Sequence, residues 1–257
     1  MKKIYSVINQ KGGVGKTTTT INLGTAMAAC GANVLLIDMD PQGNLSTGMG
    51  IERNKRKHGI YDVLINRFSL GEVLLKTDIP NLHVVPSNED LLGVDIEFSN
   101  DPERALKLKR AIKTIDNYDF ILLDCPPSLN ILTLNALVAS GGALVPLQAE
   151  FYALEGLSQL LTTINEIKQS INSDLDLEGV IITMFDGRNN LSNQVEDDVR
   201  SYLGKDVYST KIPRNIRLSE APSHGMPALI YDHKCAGSEA YINLAREVLD
   251  KAGWKIN

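Results

Sequence analysis

Little in this chain suits it to covalent cross-linking or to crossing a bilayer. Its three cysteines, Cys30, Cys125 and Cys235, lie far apart, form no CxxC pair and are odd in number. That excludes a disulfide framework and a cysteine-ligated metal cluster, and it points to a reducing cytoplasm. Long apolar runs are also missing: Val34–Ile37 and Phe120–Leu123 stop far short of the roughly 18 residues of a transmembrane helix. Gln10 and Lys11 interrupt the start before a signal-peptide core could form. No internal repeat, low-complexity tract or Pro/Gly/Ser-rich linker divides the sequence, so residues 1–257 are expected to form one domain. Positive charge is not in excess: 26 Lys and Arg face 31 Asp and Glu, a net −5, the reverse of a typical nucleic-acid-binding domain. The deficit is local, because residues 185–257 carry ten of each sign, which leaves room for a basic face in the last third.

What is present is 43% hydrophobic residues, enough to offset chain entropy and exclude disorder. Short β-branched runs at 4–8, 33–38, 82–86, 119–124, 142–147, 178–184 and 207–212 read as strands. Several are apolar throughout, as parallel strands buried on both faces are. Helical patterns at 16–30, 87–97, 102–115, 130–139, 153–171, 190–204 and 237–252 alternate with them. The alternation predicts an α/β fold, a mostly parallel twisted sheet covered by helices on both faces. Ligands of such sheets bind at the carboxyl ends of the strands, so the loops after residues 8, 38, 124, 147 and 184 are where chemistry is expected.

The first of these loops reads N-Q-K-G-G-V-G-K-T-T-T-T from Asn9. Gly12, Gly13 and Gly15, with Val14 between them, let backbone N–H groups turn inward around phosphate oxygens. The helix that follows aims its N-terminus at the same anion, and Thr18 lies in its first turn. Lys16 is placed to reach β/γ-phosphates and the Thr17 hydroxyl to ligate Mg²⁺. The usual phosphate-loop pattern has glycine where this chain has Gln10, and Lys11 is an additional lysine. A glycine-rich turn without a ligand is the plain alternative; the strand, loop and helix order favours the phosphate loop.

Two acidic loops follow. L-I-D-M-D-P-Q-G-N places Asp38 and Asp40 two residues apart on an extended chain, where a carboxylate can orient an attacking water or hold a metal's waters. F-I-L-L-D-C-P-P-S-L ends an apolar run at Asp124, a Walker B pattern whose carboxylate serves Mg²⁺. Cys125 reads as a small buried residue, since no histidine is near it in sequence to activate a nucleophile.

With these motifs in view, KGGVGKTT resembles the deviant Walker A motif of the ParA/MinD superfamily of P-loop ATPases. QAEFYALEGL (148–157), DGRNNLSNQV (186–195) and IPRNIRLSEAPSHGMP (212–227) are similar to its ParA/Soj branch. The resemblance implies an ATP- and Mg²⁺-dependent ATPase that forms an ATP-gated sandwich dimer. Such a dimer coats double-stranded DNA without sequence preference and leaves it when a ParB-type protein stimulates hydrolysis, giving a cytoplasmic, nucleoid-associated chain. It implies that Lys11 reaches the partner's phosphates and that Asp40 serves hydrolysis and metal binding within a first switch, Pro41-Gln42-Gly43. Asp124 and Thr17 then hold the metal, Pro213, Arg214 and Asn215 lie by the adenine, and Arg188 and Arg217 contact DNA. Lys205, Lys211 and Lys234 are weaker candidates for that face. Gly187, Asn189 and Cys235 depart from the commoner family residues and bear only on its shape. The phosphate loop opens at Asn9, so a preceding operator-reading helix-turn-helix is expected to be absent. Slow turnover is expected, with no arginine finger evident in cis.

Three rivals lose support from the residues. A MinD-like membrane regulator needs a basic amphipathic C-terminal helix, whereas Arg246, Lys251 and Lys255 are balanced by Glu239, Glu247 and Asp250. Tyr241, Leu244, Ala245, Val248, Leu249 and Ala252 instead form a stripe suited to packing on the sheet, and no membrane partner is expected. An iron–sulfur carrier lacks its paired cysteines. A synthetase of the dethiobiotin type would need a second-substrate site. The charged run Arg53–His58 and the basic helix at 102–115 are read as solvated surface.

Overall fold

Phe120–Asp124 is buried at all five positions, and its side chains divide by parity. Phe120 and Leu122 join one hydrophobic cluster, Ile121 and Leu123 the other, as the two-residue period of a strand covered on both faces requires. The computed structural model describes residues 2–150 and 153–255, so Phe151 and Tyr152 of the QAEFYALEGL segment lie outside the described residues. Its sheet comprises β1 (Lys3–Val7), β2 (Val34–Asp38), β3 (Leu75–Lys76), β4 (Leu82–Val85), β5 (Phe120–Asp124), β6 (Gly142–Gln148) and β7 (Asp176–Thr183). The strand order is β3-β4-β2-β5-β1-β6-β7, parallel except for the short edge strand β3. The expected α/β architecture is therefore the observed one.

One face of the sheet is covered by Ile131–Ala139, Ala153–Ser170 and Asn190–Leu203, whose Leu132, Leu157 and Val195 enter the first cluster. The other face carries Lys16–Ala29 and the C-terminal helix Ala236–Lys251, which pack against each other. Tyr241, Leu244, Ala245, Val248 and Leu249 are buried there, and the Tyr241 hydroxyl meets Thr19 Oγ1 at 3.1 Å. The expected stripe is buried, but it packs chiefly against Lys16–Ala29, which itself lies on the sheet. No helix among the described residues is long and apolar enough to cross a membrane.

Register sets the site. Val7 and Asp38 both pair with Asp124 across neighbouring strands, so β1, β2 and β5 end level and their loops leave side by side. The chain also crosses from β5 to β6 on the far side of β1, which opens a crevice at that end of the sheet.

Three segments differ from expectation. Residues 207–212 form no strand: Val207 makes one isolated bridge to Val180 of β7, and a second, Phe185 with Pro213, lies beyond both segments. The Ser209 and Thr210 amides are captured instead by the Glu247 carboxylate, at 2.8 Å each. Within 102–115 only Lys107–Ile112 is helical. The Asp101 carboxylate accepts the Glu103 amide at 2.8 Å and holds the preceding residues as turns. Residues 87–97 form a 3-10 turn, Glu89–Gly93, and a single helical turn, Val94–Glu97.

Candidate nucleotide site

The loop after β1 is a nest built by two left-handed glycines. Gly13 and Gly15 have φ of 76° and 92°, values that cost an L side chain strain, whereas Gly12 needs no such freedom. Gly15 begins Lys16–Ala29 without any side-chain cap, so the first amides of that helix face the cleft unsatisfied. The loop is tied at both ends. Asn9 Nδ2 donates to Pro146 O at 2.8 Å, and Thr183 Oγ1 donates to the buried Val14 carbonyl at 2.8 Å. Lys16 is 7% exposed, its Nζ donating to Lys11 O at 3.0 Å. Burial pulls its ammonium below the ordinary lysine value against the opposing pull of Asp124.

The carboxylates close around this lysine. Asp124, fully buried, accepts Thr17 Oγ1 at 2.8 Å and Thr20 Oγ1 at 3.3 Å. Burial first, and then the Asp38 charge, push it well above the usual carboxylate range. Asp38 is also fully buried; burial raises it to about 6 although the Ser46 hydroxyl and amide donate to it. Asp40 is half-buried beside the cleft and accepts the Gln42 amide at 2.9 Å. Among the described residues no group of three or more His, Cys, Asp or Glu converges as a metal cage. Mg²⁺ needs none, since it is commonly held by one or two protein oxygens together with phosphates and water, and Thr17 with Asp124 offers that set.

The cleft has a volume of about 690 Å³ and is lined by the phosphate-loop residues, Asp40, Pro41, Pro126 and Pro127. A second cavity of about 250 Å³ contains Pro213, Arg214 and Asn215 and shares Gly15, Thr18, Met184 and Pro222 with the first. Met184 stands at the junction with φ of 51°, a left-handed strain of about 1–3 kcal/mol of the kind that gathers at functional sites. Phosphate loop, acidic rim and the 213–215 segment thus form one continuous depression sized for a nucleotide.

The remaining sequence candidates sit elsewhere. Lys11 is exposed, outside the residues that line the cleft, and is ion-paired with Glu150. Arg188, its side chain 92% exposed, makes a bidentate pair with Asp186 at 2.9 Å. Arg217 pairs with Glu220 at 2.9 Å and Asp232 at 3.4 Å. Lys211 pairs with Glu196 over the Phe185 ring, while Lys205 and Lys234 are exposed. Cys125 is buried as expected, and burial pushes its thiol far up. The Arg53–His58 run is solvated only in part. Arg56 is buried, its guanidinium donating to Ile51 O, Gly43 O and Thr47 Oγ1 behind the first acidic loop. Sequence reasoning missed Arg56, Ser46 and Glu150, whose partners are set only by the fold.

A family model described as an AAA domain matches residues 2–177. The chain is 53% identical to a chromosome partitioning protein ParA of Caulobacter vibrioides, covering 97% of this chain and 94% of that protein. It is 49% identical to the sporulation initiation inhibitor protein Soj of Bacillus subtilis, covering 96% and 98%. Among solved structures, a cobyrinic acid a,c-diamide synthase from Mycobacterium smegmatis, with bound ATP analogue and magnesium, superposes with a TM-score of 0.87. That match has 35% identity over 100% of this chain and 98% of that one.

Proposed function

The chain belongs to the ParA/Soj family of chromosome-partitioning ATPases, and on that premise we propose that all 257 residues act as one Mg²⁺-dependent ATPase domain. Its ATP-bound sandwich dimer holds DNA without sequence preference until a ParB-type protein triggers hydrolysis. The observation that carries this reading is the meeting of Lys16, Thr17 and Asp124 under a bare helix N-terminus, with Asp40 at the rim of the same cleft.

Each residue then has a role set by its place. The Gly13–Gly15 amides and Lys16 cradle the β/γ-phosphates, supplying positive field in a low-dielectric site. Thr17, Asp124 and Asp40 are the residues that would hold Mg²⁺. When bound, the ion neutralises charge developing on the phosphates. Asp40 orients the attacking water from the cleft rim. Lys11, half exposed and paired with Glu150 in the monomer, leaves that carboxylate to serve the partner's nucleotide in trans. Pro213, Arg214 and Asn215 line the cavity for the base.

Arg188 and Arg217 supply the phosphate-backbone contacts, and dimerisation doubles their number, so ATP gates DNA binding without rearranging a subunit. Both are held by nearby carboxylates that DNA phosphates must displace. Nucleoid association in the cytoplasm follows from that binding. A membrane-bound alternative is disfavoured, because the apolar stripe of Ala236–Lys251 is already spent on Lys16–Ala29.

The test is Asp40→Ala. This variant should bind ATP and form the dimer but release phosphate at least tenfold more slowly, since a positioned group of this kind contributes about 10²–10⁴-fold. Unchanged turnover would remove Asp40 from the reaction.

A further inference from the structure

Asp40 is half-buried in the loop after β2, and its backbone is gripped from two sides. Its N–H donates to Asp38 Oδ1 at 3.3 Å, and its carbonyl accepts the Ser87 hydroxyl and the Gly43 amide, the latter at 2.9 Å. Ser87 belongs to the loop after β4, the strand that pairs with β2 through Ile37 and Val85. Its own N–H donates to Ser46 Oγ at 3.1 Å, and the Ser46 hydroxyl donates to Asp38 Oδ2 at 2.6 Å. Asp38, Asp40, Ser87 and Ser46 therefore close a ring of four hydrogen bonds. Asp38, Ser46 and Ser87 are all 0% exposed.

The β4 side of this ring is the fixed side. Pro86 O accepts the Ile60 amide at 2.9 Å, and Gly59 packs so tightly beneath it that an added Cβ would stand 2.4 Å from that carbonyl. Asp40, by contrast, sits where the chain leaves the sheet. Among the described residues its side chain is turned only by the Gln42 amide, at 2.9 Å. The direction of its Cα–Cβ bond into the cleft is set by what holds its N–H and C=O. Buried, satisfied networks of this kind impose one geometry, because any member that leaves strands a polar partner.

Resting on the hydrolytic role proposed for Asp40, we propose that Ser87 is a positioning residue for that carboxylate: its hydroxyl, fixed by the β4 loop and braced through Ser46 on Asp38, holds the Asp40 carbonyl so that the side chain meets the attacking water. Ser87 touches neither nucleotide nor water itself. Its effect passes entirely through Asp40, so it bears on the chemical step and not on ATP binding. Displacements of about 1 Å at such a group can cost up to 10²-fold in rate.

The experiment measures kcat and KM for ATP with the full chain in the presence of DNA and Mg²⁺, for Ser87→Ala and Ser87→Cys. Both are also measured in the Asp40→Ala background, with melting temperature as the check on folding. Ser87→Ala should lower kcat about tenfold with KM within about twofold, and Ser87→Cys, which keeps a weak donor of similar size, should recover part of the loss. In the Asp40→Ala background, Ser87→Ala should cost nothing further, the non-additivity expected of residues acting as one unit. Wild-type kcat in Ser87→Ala beside an inactive Asp40→Ala would overturn the inference and leave the proposed function standing. The same fractional loss in both backgrounds would overturn it too. Normal turnover in Asp40→Ala would bring down the reading beneath it.

Discussion

Replacing Glu150 by glutamine should tighten ATP-driven dimerisation. In the monomer the Lys11 ammonium is paired with Glu150, so the lysine assigned to the partner's phosphates must first leave that carboxylate. The side chains are 50% and 43% exposed, and solvent screening sets the scale. Two unit charges 4 Å apart attract by about 1 kcal/mol in water, and exposed pairs contribute about 0.2–1 kcal/mol once side-chain ordering is counted. Two lysines are released per dimer, so the association constant should rise by about two- to thirty-fold in Glu150→Gln. The shift should shrink as salt rises. Sedimentation velocity with ATP in an Asp40→Ala background measures it without turnover, and Lys11→Ala, which should not dimerise, is the control. A dimer weakened or unchanged by Glu150→Gln would refute the reasoning, because Glu150 would then be a structural partner of Lys11 and not its resting place.

Other consequences follow from burial and charge. Lys16→Ala should lose ATP binding in a filter or fluorescence assay, since the one buried cation of the phosphate loop is removed; retained affinity would contradict its placement. Mg²⁺ with ADP at about 100 times its dissociation constant should stabilise the fold by about 2.7 kcal/mol, or roughly 5–10 °C in melting temperature. EDTA should remove most of that gain if Asp124 depends on the ion. Leu244→Ala, at a fully buried position on the C-terminal helix, should cost about 2–5 kcal/mol and lower the melting temperature by roughly 4–20 °C. An unchanged melting curve would mean that this helix is not docked. Iodoacetamide at neutral pH should modify the half-buried Cys30 and Cys235 well before Cys125, and equal rates would contradict the buried, raised thiol.

The phosphate loop was legible because each of its residues has an intrinsic property that its position uses. Gly13 and Gly15 take left-handed φ, Lys16 is a cation on the first helical turn, and Thr17 is a short hydroxyl facing a strand-end carboxylate. Asp38 and Asp124 were legible for the same reason, each ending an apolar strand. Their in-register pairing needed the strand order, which no local pattern contains. Ser87 carries no signal of its own: it is an ordinary loop serine, and its partner is 47 positions away. Glu150 is likewise 139 positions from Lys11. Arg56 misled by company, lying among charged neighbours that are exposed while backbone carbonyls draw its guanidinium inward. The β-branched run at 207–212 had the right composition for a strand, but Glu247, from the C-terminal helix, takes the Ser209 and Thr210 amides in its middle. For Ser87, Glu150 and the 207–212 run the deciding contact comes from a distant segment, so propensity alone could not anticipate it.

DNA binding tests the central claim most directly, because the chain as a whole is acidic. Affinity for two unrelated duplexes should be measured with ATP, with ADP and without nucleotide, across a salt series, for wild type, Arg188→Glu and Arg217→Glu. Binding is expected with ATP and in neither other state, equal on both sequences. Each arginine removed from both subunits of the dimer should flatten the slope of log K against log salt by about 2, with ATP-driven dimerisation intact. Equal binding in all three nucleotide states, or arginine variants with wild-type affinity and slope, would contradict it.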